Sequence, residues 1–348
     1  MTAERLGLIL LLAMGGPALA APALPQVDLP MALERRMPPP VEEPSGDAAF
    51  AAYQIGHYYA ALDLALRRVE KDGNDAAALT LLGELYRQGL GVPVDLEQAV
   101  DWYSAAAQRG DVSAAIALAL MKIEGAGTAR DMAGAARLFE QAAAKGNAQA
   151  HYNLGLLRLQ GQGLELDTGK AAEHFRIAAE AGDSDAQYAY ATMLKDGRLG
   201  PPNAEAAAEW LGKAAAQGNI IAQIEYAIAL FNGDGLAKDE EAAARNFALA
   251  AGKGNPIAEN RLARLYANGR GVPLDPVKAM AWHLLAQAGG RDDPWLDVFV
   301  QRLPEETRRQ GYAQAQQWRG IELLALDGSR PTGQTTDQPN SIAPEVTP

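Results

Sequence analysis

Between residues 75 and 290, apolar positions recur at helical rather than strand spacing. Ile116, Leu120 and Ile123 fall at i, i+4 and i+7, as do Tyr152, Leu156 and Leu159, and again Ile224, Ile228 and Phe231. Each trio therefore lines one helical face. A separate stripe, made by Ala114 with Leu118, Ala150 with Leu154 and Ala222 with Tyr226, marks another face of the same helices. A helix that is apolar on two sides needs a packing partner on both. Alanine and leucine crowd this stretch and β-branched runs are nearly absent, so the pattern predicts an all-α chain.

The pattern has a fixed period. Gly89, Gly125, Gly161, Gly197, Gly233 and Gly269 stand 36 residues apart, and Gly110, Gly146, Gly182, Gly218, Gly254 and Gly290 keep the same step. Alanines follow in register, from Ala99, Ala135 and Ala171 to Ala279, and from Ala106, Ala142 and Ala178 to Ala286. Each unit thus predicts two helices, each stopped by a glycine able to take the left-handed conformation. Asp95, Asp131, Asp167, Asn203, Asp239 and Asp275 fall just before the second helix, where a short oxygen side chain caps free amides. That role makes the series structural rather than catalytic. Between the alanines stand Tyr103, Phe139, Phe175, Leu211 and Phe247, and His283 breaks this series in the last unit. The fourth unit reads Gly197-Arg198-Leu199-Gly200-Pro201-Pro202 where its neighbours have a G-x-G loop, so a different loop is expected there.

The pattern A-x-x-x-LG, then G-x-G-V-x-x-D, then A-x-x-W-[YF]-x-x-AA-x-x-G resembles the Sel1-like repeats of the tetratricopeptide superfamily. Ala150, Leu154, Gly155, Gly161, Gly163, Asp167, Ala171, Phe175, Ala178, Ala179 and Gly182 carry it most fully. The resemblance implies an α-solenoid of antiparallel helix pairs, with six Sel1-like repeats over 75–290. It also implies a concave wall, lined by the first helix of each pair, that receives protein or peptide partners. On this chain the wall would include Ile116, Leu120, Ile123, Tyr152, Leu156, Leu159, Ile224, Ile228 and Phe231. Curvature that buries this stripe is the competing expectation. The counterparts Arg87 and Lys195 are charged and should reach water. Residues 47–74 resemble a degenerate tetratricopeptide unit capping the N-terminal end, and 291–325 are expected to form capping helices, with Trp295 and Trp318 as pieces of the closure. Family precedent further implies a regulatory role in envelope or exopolysaccharide signalling.

Composition narrows the partner. A formal net charge of −12, without a segment that clusters Lys and Arg, disfavours nucleic acid and anionic lipid. With no cysteine there is no disulfide, thiol nucleophile or Cys-ligated metal. Arg5, the apolar run Leu6 to Met14 and Ala18-Leu19-Ala20 together read as a signal peptide over 1–20, cleaved after Ala20. A proline-rich linker follows over 21–46, and 326–348 read as a disordered tail. The protein is therefore expected in the periplasm or secreted, with no membrane-spanning segment after cleavage. His57, His151, His174 and His283 read as isolated surface or packing residues in different units, and no metal, cofactor or catalytic constellation is expected. The expected role is a non-enzymatic interaction scaffold. A cell-envelope enzyme or polysaccharide-binding module and a secreted effector binding host proteins are the alternatives, and the partner's identity and the oligomeric state stay open.

Overall fold

The computed structural model of the protein describes residues 47–319. The expected signal segment, the proline-rich linker and the tail lie outside the described residues. Every regular element among the described residues is an α-helix. α1 (Ala48–Gln54) and α2 (Tyr58–Lys71) come first. Six pairs follow: α3 (Ala76–Gln88) with α4 (Leu96–Gln108), α5 (Val112–Glu124) with α6 (Met132–Ala143), α7 (Ala148–Gln160) with α8 (Thr168–Glu180), α9 (Ser184–Lys195) with α10 (Ala204–Ala216), α11 (Ile220–Asn232) with α12 (Glu240–Gly252), and α13 (Pro256–Asn268) with α14 (Pro276–Ala288). Two further helices, α15 (Pro294–Gln301) and α16 (Glu305–Arg319), end the described chain. The architecture is an all-α solenoid of helix pairs. It divides into two compact units, the described parts of Met1–Ala181 and Gly182–Pro348.

Local chemistry explains why the helices begin where they do. All six anticipated caps accept a backbone hydrogen bond at the second helix, from Asp95 on Gln98 at 3.0 Å to Asp275 on Lys278 at 3.0 Å. A second series at the first helix, Asp75, Asp111, Asn147, Asp183, Asn219 and Asn255, does the same. It keeps the same period and was equally visible in the sequence. A cap of this kind is worth about 1 kcal/mol.

The first glycine of the loop ends the helix, with φ near 65° at Gly161. The second has another task. At Gly163 an added Cβ would lie 2.4 Å from the backbone carbonyl of Met132, at the start of the preceding repeat's second helix. Gly127, Gly235 and Gly271 approach Leu96, Ala204 and Glu240 in the same way. The fourth loop differs, as its sequence indicates: α9 stops at Lys195, Asp196 takes the C-cap and Pro202 packs beside Gly197.

The alanine stripes are core. Ala99, Ala106, Ala135, Ala142, Ala171 and Ala178 are all fully buried, and the rings of Tyr103, Phe139 and Phe175 sit between them with the same burial. Burying such a ring contributes about 2 to 3 kcal/mol. Ala178→Leu should overpack this contact and cost about 1 to 3 kcal/mol, read as a lowered melting temperature; an unchanged value would mean that position 178 faces open space.

The ends are built differently. Arg68 of α2 bonds Asp75, the cap of α3, at 2.8 and 3.0 Å, and also pairs with Asp47, the cap of α1. At the other end, the break in the aromatic series has a reason. His283 is fully buried and its Nε2 lies 2.8 Å from Asp297 Oδ1 of α15. Trp318 of α16 packs on Trp282 with ring centroids 4.5 Å apart, and Trp295 stacks on Phe299 within α15.

Candidate partner-binding cleft

The nine stripe residues do not share one environment. Ile116, Leu156 and Ile224 are buried, at 9%, 2% and 6% exposure, and belong to the packing between helices. Leu120, Ile123, Tyr152 and Leu159 are half-buried in the first unit. Leu120 and Ile123 pack against the Phe139 cluster, and the Tyr152 ring lies 5.8 Å from that of Phe175. Ile228 and Phe231 are half-buried in the second unit, where they line a cleft of about 390 Å³ that the other seven do not reach.

That cleft is built from α11, α12, α13 and the loop after α13. Ile228, Phe231, Phe247 and Leu265 give it apolar walls, while Asn232, Asn268, Arg261, Arg264 and Arg270 supply polar groups. No carboxylate lines it. The arginines differ in how they are held. Arg264 forks onto Asp293, with Nε and Nη2 at 2.6 and 2.7 Å from the two oxygens. Burial works against ionisation of Asp293, but hydrogen bonds from Arg264 and Asn260 outweigh it and hold the carboxyl well below the usual range. Arg270 forks onto Glu240 and lies 4.1 Å over the Phe231 ring. Hydrogen bonds from Arg270, then from Lys238, hold Glu240 down to about 2. Arg261 is exposed and makes no hydrogen bond or ion pair among the described residues.

The cleft thus combines a cation–π platform with one guanidinium free to take a ligand. Its arginines escaped a search guided by apolar spacing. The signal was present in the period, since Arg264 stands where Leu120, Leu156 and Ile228 stand in other repeats. The charged counterparts in other units also reach water, as their sequence indicates: Lys195 is exposed and pairs with Glu225, and Arg87 is partly exposed and bonds Glu84.

Two further features concern chemistry. The G-x-G loops, which could suggest phosphate cradles, spend their second glycine on the preceding helix. The histidine expectation needs correction. His151 and His174 do not fall in different units: they face each other across α7 and α8 of a single pair, Nδ1 to Nδ1 at 3.1 Å. Their spacing of 23 residues is no familiar ligand motif, which hid the pair.

Capped helix pairs repeated along the chain, with a cleft lined largely by first-helix side chains in the second unit, define a helical-repeat solenoid. Comparison with known families is specific: the Sel1 repeat matches residues 76–111, 112–147, 148–183, 184–219, 220–255 and 256–289, more than half of the chain. The chain belongs to the Sel1 repeat family. Sel1 repeat proteins bind protein partners, and the family is generally non-catalytic. Among solved structures, a Sel1 repeat protein from Oxalobacter formigenes is 27% identical, with a TM-score of 0.60, covering 70% of this chain and 97% of that one. A protective antigen of uropathogenic Escherichia coli strains that displays an SLR fold is 28% identical, with a TM-score of 0.47, covering 78% of this chain and 67% of that one. No curated protein matches. Among the described residues, no helix is long and apolar enough to cross a membrane.

Proposed function

We propose that this protein is a non-enzymatic interaction scaffold, exported to the periplasm, that binds an acidic segment of a partner protein in the cleft of its second unit. The observation that carries this reading is the cleft itself: apolar walls, three arginines at the mouth and no lining carboxylate, on a chain of net charge −12. A carboxylate of the partner would reach Arg261, and an apolar neighbour would lie against Ile228 and Phe231. Charge complementarity of this kind sets register and speeds association. Export is supported by Arg5, the apolar run Leu6 to Met14 and Ala18-Leu19-Ala20. A role in envelope signalling follows the family resemblance.

The test is crosslinking and capture of the tagged protein in its own cells, beside Phe231→Arg and Arg261→Glu variants that retain the parent's helical content. One stoichiometric partner should be captured, should be lost with Phe231→Arg, and should bind Arg261→Glu roughly tenfold more weakly, a change of about 1.4 kcal/mol. A partner set indifferent to both substitutions would refute the cleft as the docking site.

A further inference from the structure

The His151–His174 pair lies outside the cleft, in the other unit, and packing alone does not account for it. In the other repeats the same two positions hold Leu79 with Trp102, Ala115 with Leu138, Gln187 with Trp210, Gln223 with Asn246 and Glu259 with Trp282. Both positions are thus filled elsewhere by residues that cannot form an imidazole pair. The third repeat alone places two imidazoles there, both half-buried.

We propose that His151 and His174 form a two-imidazole binding site for a first-row divalent transition metal, with water completing its coordination. Nitrogens 3.1 Å apart, each at the usual metal–nitrogen distance of 2.0 to 2.1 Å, subtend about 100° at a shared ion. That angle suits a tetrahedral or octahedral centre. A second feature orients the first ligand. The carbonyl of Ala143 lies beside the His151 ring, in the place where the carbonyl of Ala215 accepts from Gln223 Nε2 at 3.1 Å. With Nδ1 turned to His174, an Nε2–H tautomer of His151 facing that carbonyl would leave its Nδ1 lone pair available to an ion. Metal-bound histidines are held in this way, the second ring nitrogen tied to a carbonyl.

Without metal, one Nδ1 of the pair donates its N–H to the other. Binding breaks that hydrogen bond, moves the bridging proton to the Nε2 of the ring that carried it and forms two nitrogen–metal bonds in place of two waters on the ion. Neither ring loses a net proton, because burial already lowers the pKa of both and keeps them neutral at neutral pH. Arg158 near His174 opposes a cation and Glu173 favours one. Among the described residues no third His, Asp or Glu joins the pair. Imidazole donors favour copper and zinc over manganese or magnesium.

The repeats themselves supply test variants compatible with the fold: His151→Gln copies Gln187 and Gln223, and His174→Trp copies Trp102, Trp210 and Trp282. The experiment is zinc chloride titration of the full-length, tag-free protein, followed by imidazole nitrogen NMR, with circular dichroism to check that each variant is folded. The Nδ1 signals of His151 and His174 should shift together while those of His57 and His283 stay fixed. Either substitution should weaken zinc binding at least roughly tenfold, about 1.4 kcal/mol. Silent imidazole signals at zinc on the order of 1 mM, too weak for a specific site, or binding that survives in both folded variants, would reduce the pair to a hydrogen bond between neutral rings.

Discussion

Replacing Gly163 with alanine is expected to cost the first unit about 3 kcal/mol of stability. Two effects combine. The residue sits at φ of 71°, where an L side chain costs about 1 to 2 kcal/mol. The new Cβ would also lie 2.4 Å from the carbonyl carbon and oxygen of Met132 and 2.8 Å from the amide nitrogen of Ala133. Those are backbone atoms in the first turn of α6, and no rotamer change can clear them. Forced overpacking of this kind typically costs a further 1 to 3 kcal/mol, as an order of magnitude. Gly161→Ala is the control, because its φ of 65° carries the same backbone penalty while its nearest neighbour is the Leu166 Cβ at 3.3 Å. Urea unfolding followed by helical circular dichroism should place Gly163→Ala well below Gly161→Ala; equal midpoints would show that the loop does not lean on α6.

Asp293→Ala should be nearly as damaging in the second unit, at about 3 kcal/mol. The carboxylate is 5% exposed and does three things at once. It caps α15 through the amides of Trp295 and Leu296, it takes the Arg264 fork, and it accepts from Asn260 at 2.8 Å. Losing the cap costs about 1 kcal/mol. Losing the pair costs about 2 kcal/mol, below the usual range for a buried pair, because the Arg264 side chain keeps 42% of its surface in water. The same group makes stability depend on acid. Its folded pKa is depressed, so its contribution is complete above the unfolded value near 3.9 and is lost as pH falls from about 5 towards the folded value. The gap in melting temperature between parent and variant should therefore be widest above about pH 5 and should narrow progressively as the pH is lowered below that; a gap that stays constant down to strongly acid pH would contradict the assignment. Arg264 already lines the cleft and would lose its carboxylate partner there, so this variant links closure of the fold to the proposed docking site.

The repeat, both helices of each pair and the stops between them were legible because backbone requirements constrain side-chain identity: a left-handed residue selects glycine and a free amide selects Asp or Asn. The candidate site was legible only in its apolar part. Ile228 and Phe231 were found by spacing, but Ile116, Leu156 and Ile224 satisfy the same spacing and are buried, since periodicity reports a face and not the depth of what lies over it. Arg261 and Arg270 obey no stripe, and their place at the cleft depends on how neighbouring pairs stack. His283 shows the same limit. It broke a pattern in the sequence, and its buried bond to Asp297 depends on a helix outside the repeat.

The capping aspartates bear on what a partner meets. Asp75, Asp95, Asp111, Asp131, Asp167, Asp183, Asp239 and Asp275 each turn their carboxylates onto helix N-termini, where the aligned peptide dipoles present positive ends. These eight charges are each stabilised where they stand, while the net charge of the chain is unchanged. At close range an acidic visitor to the cleft would meet the uncommitted Arg261 guanidinium and no lining carboxylate, because the cap carboxylates are already turned to their own helices.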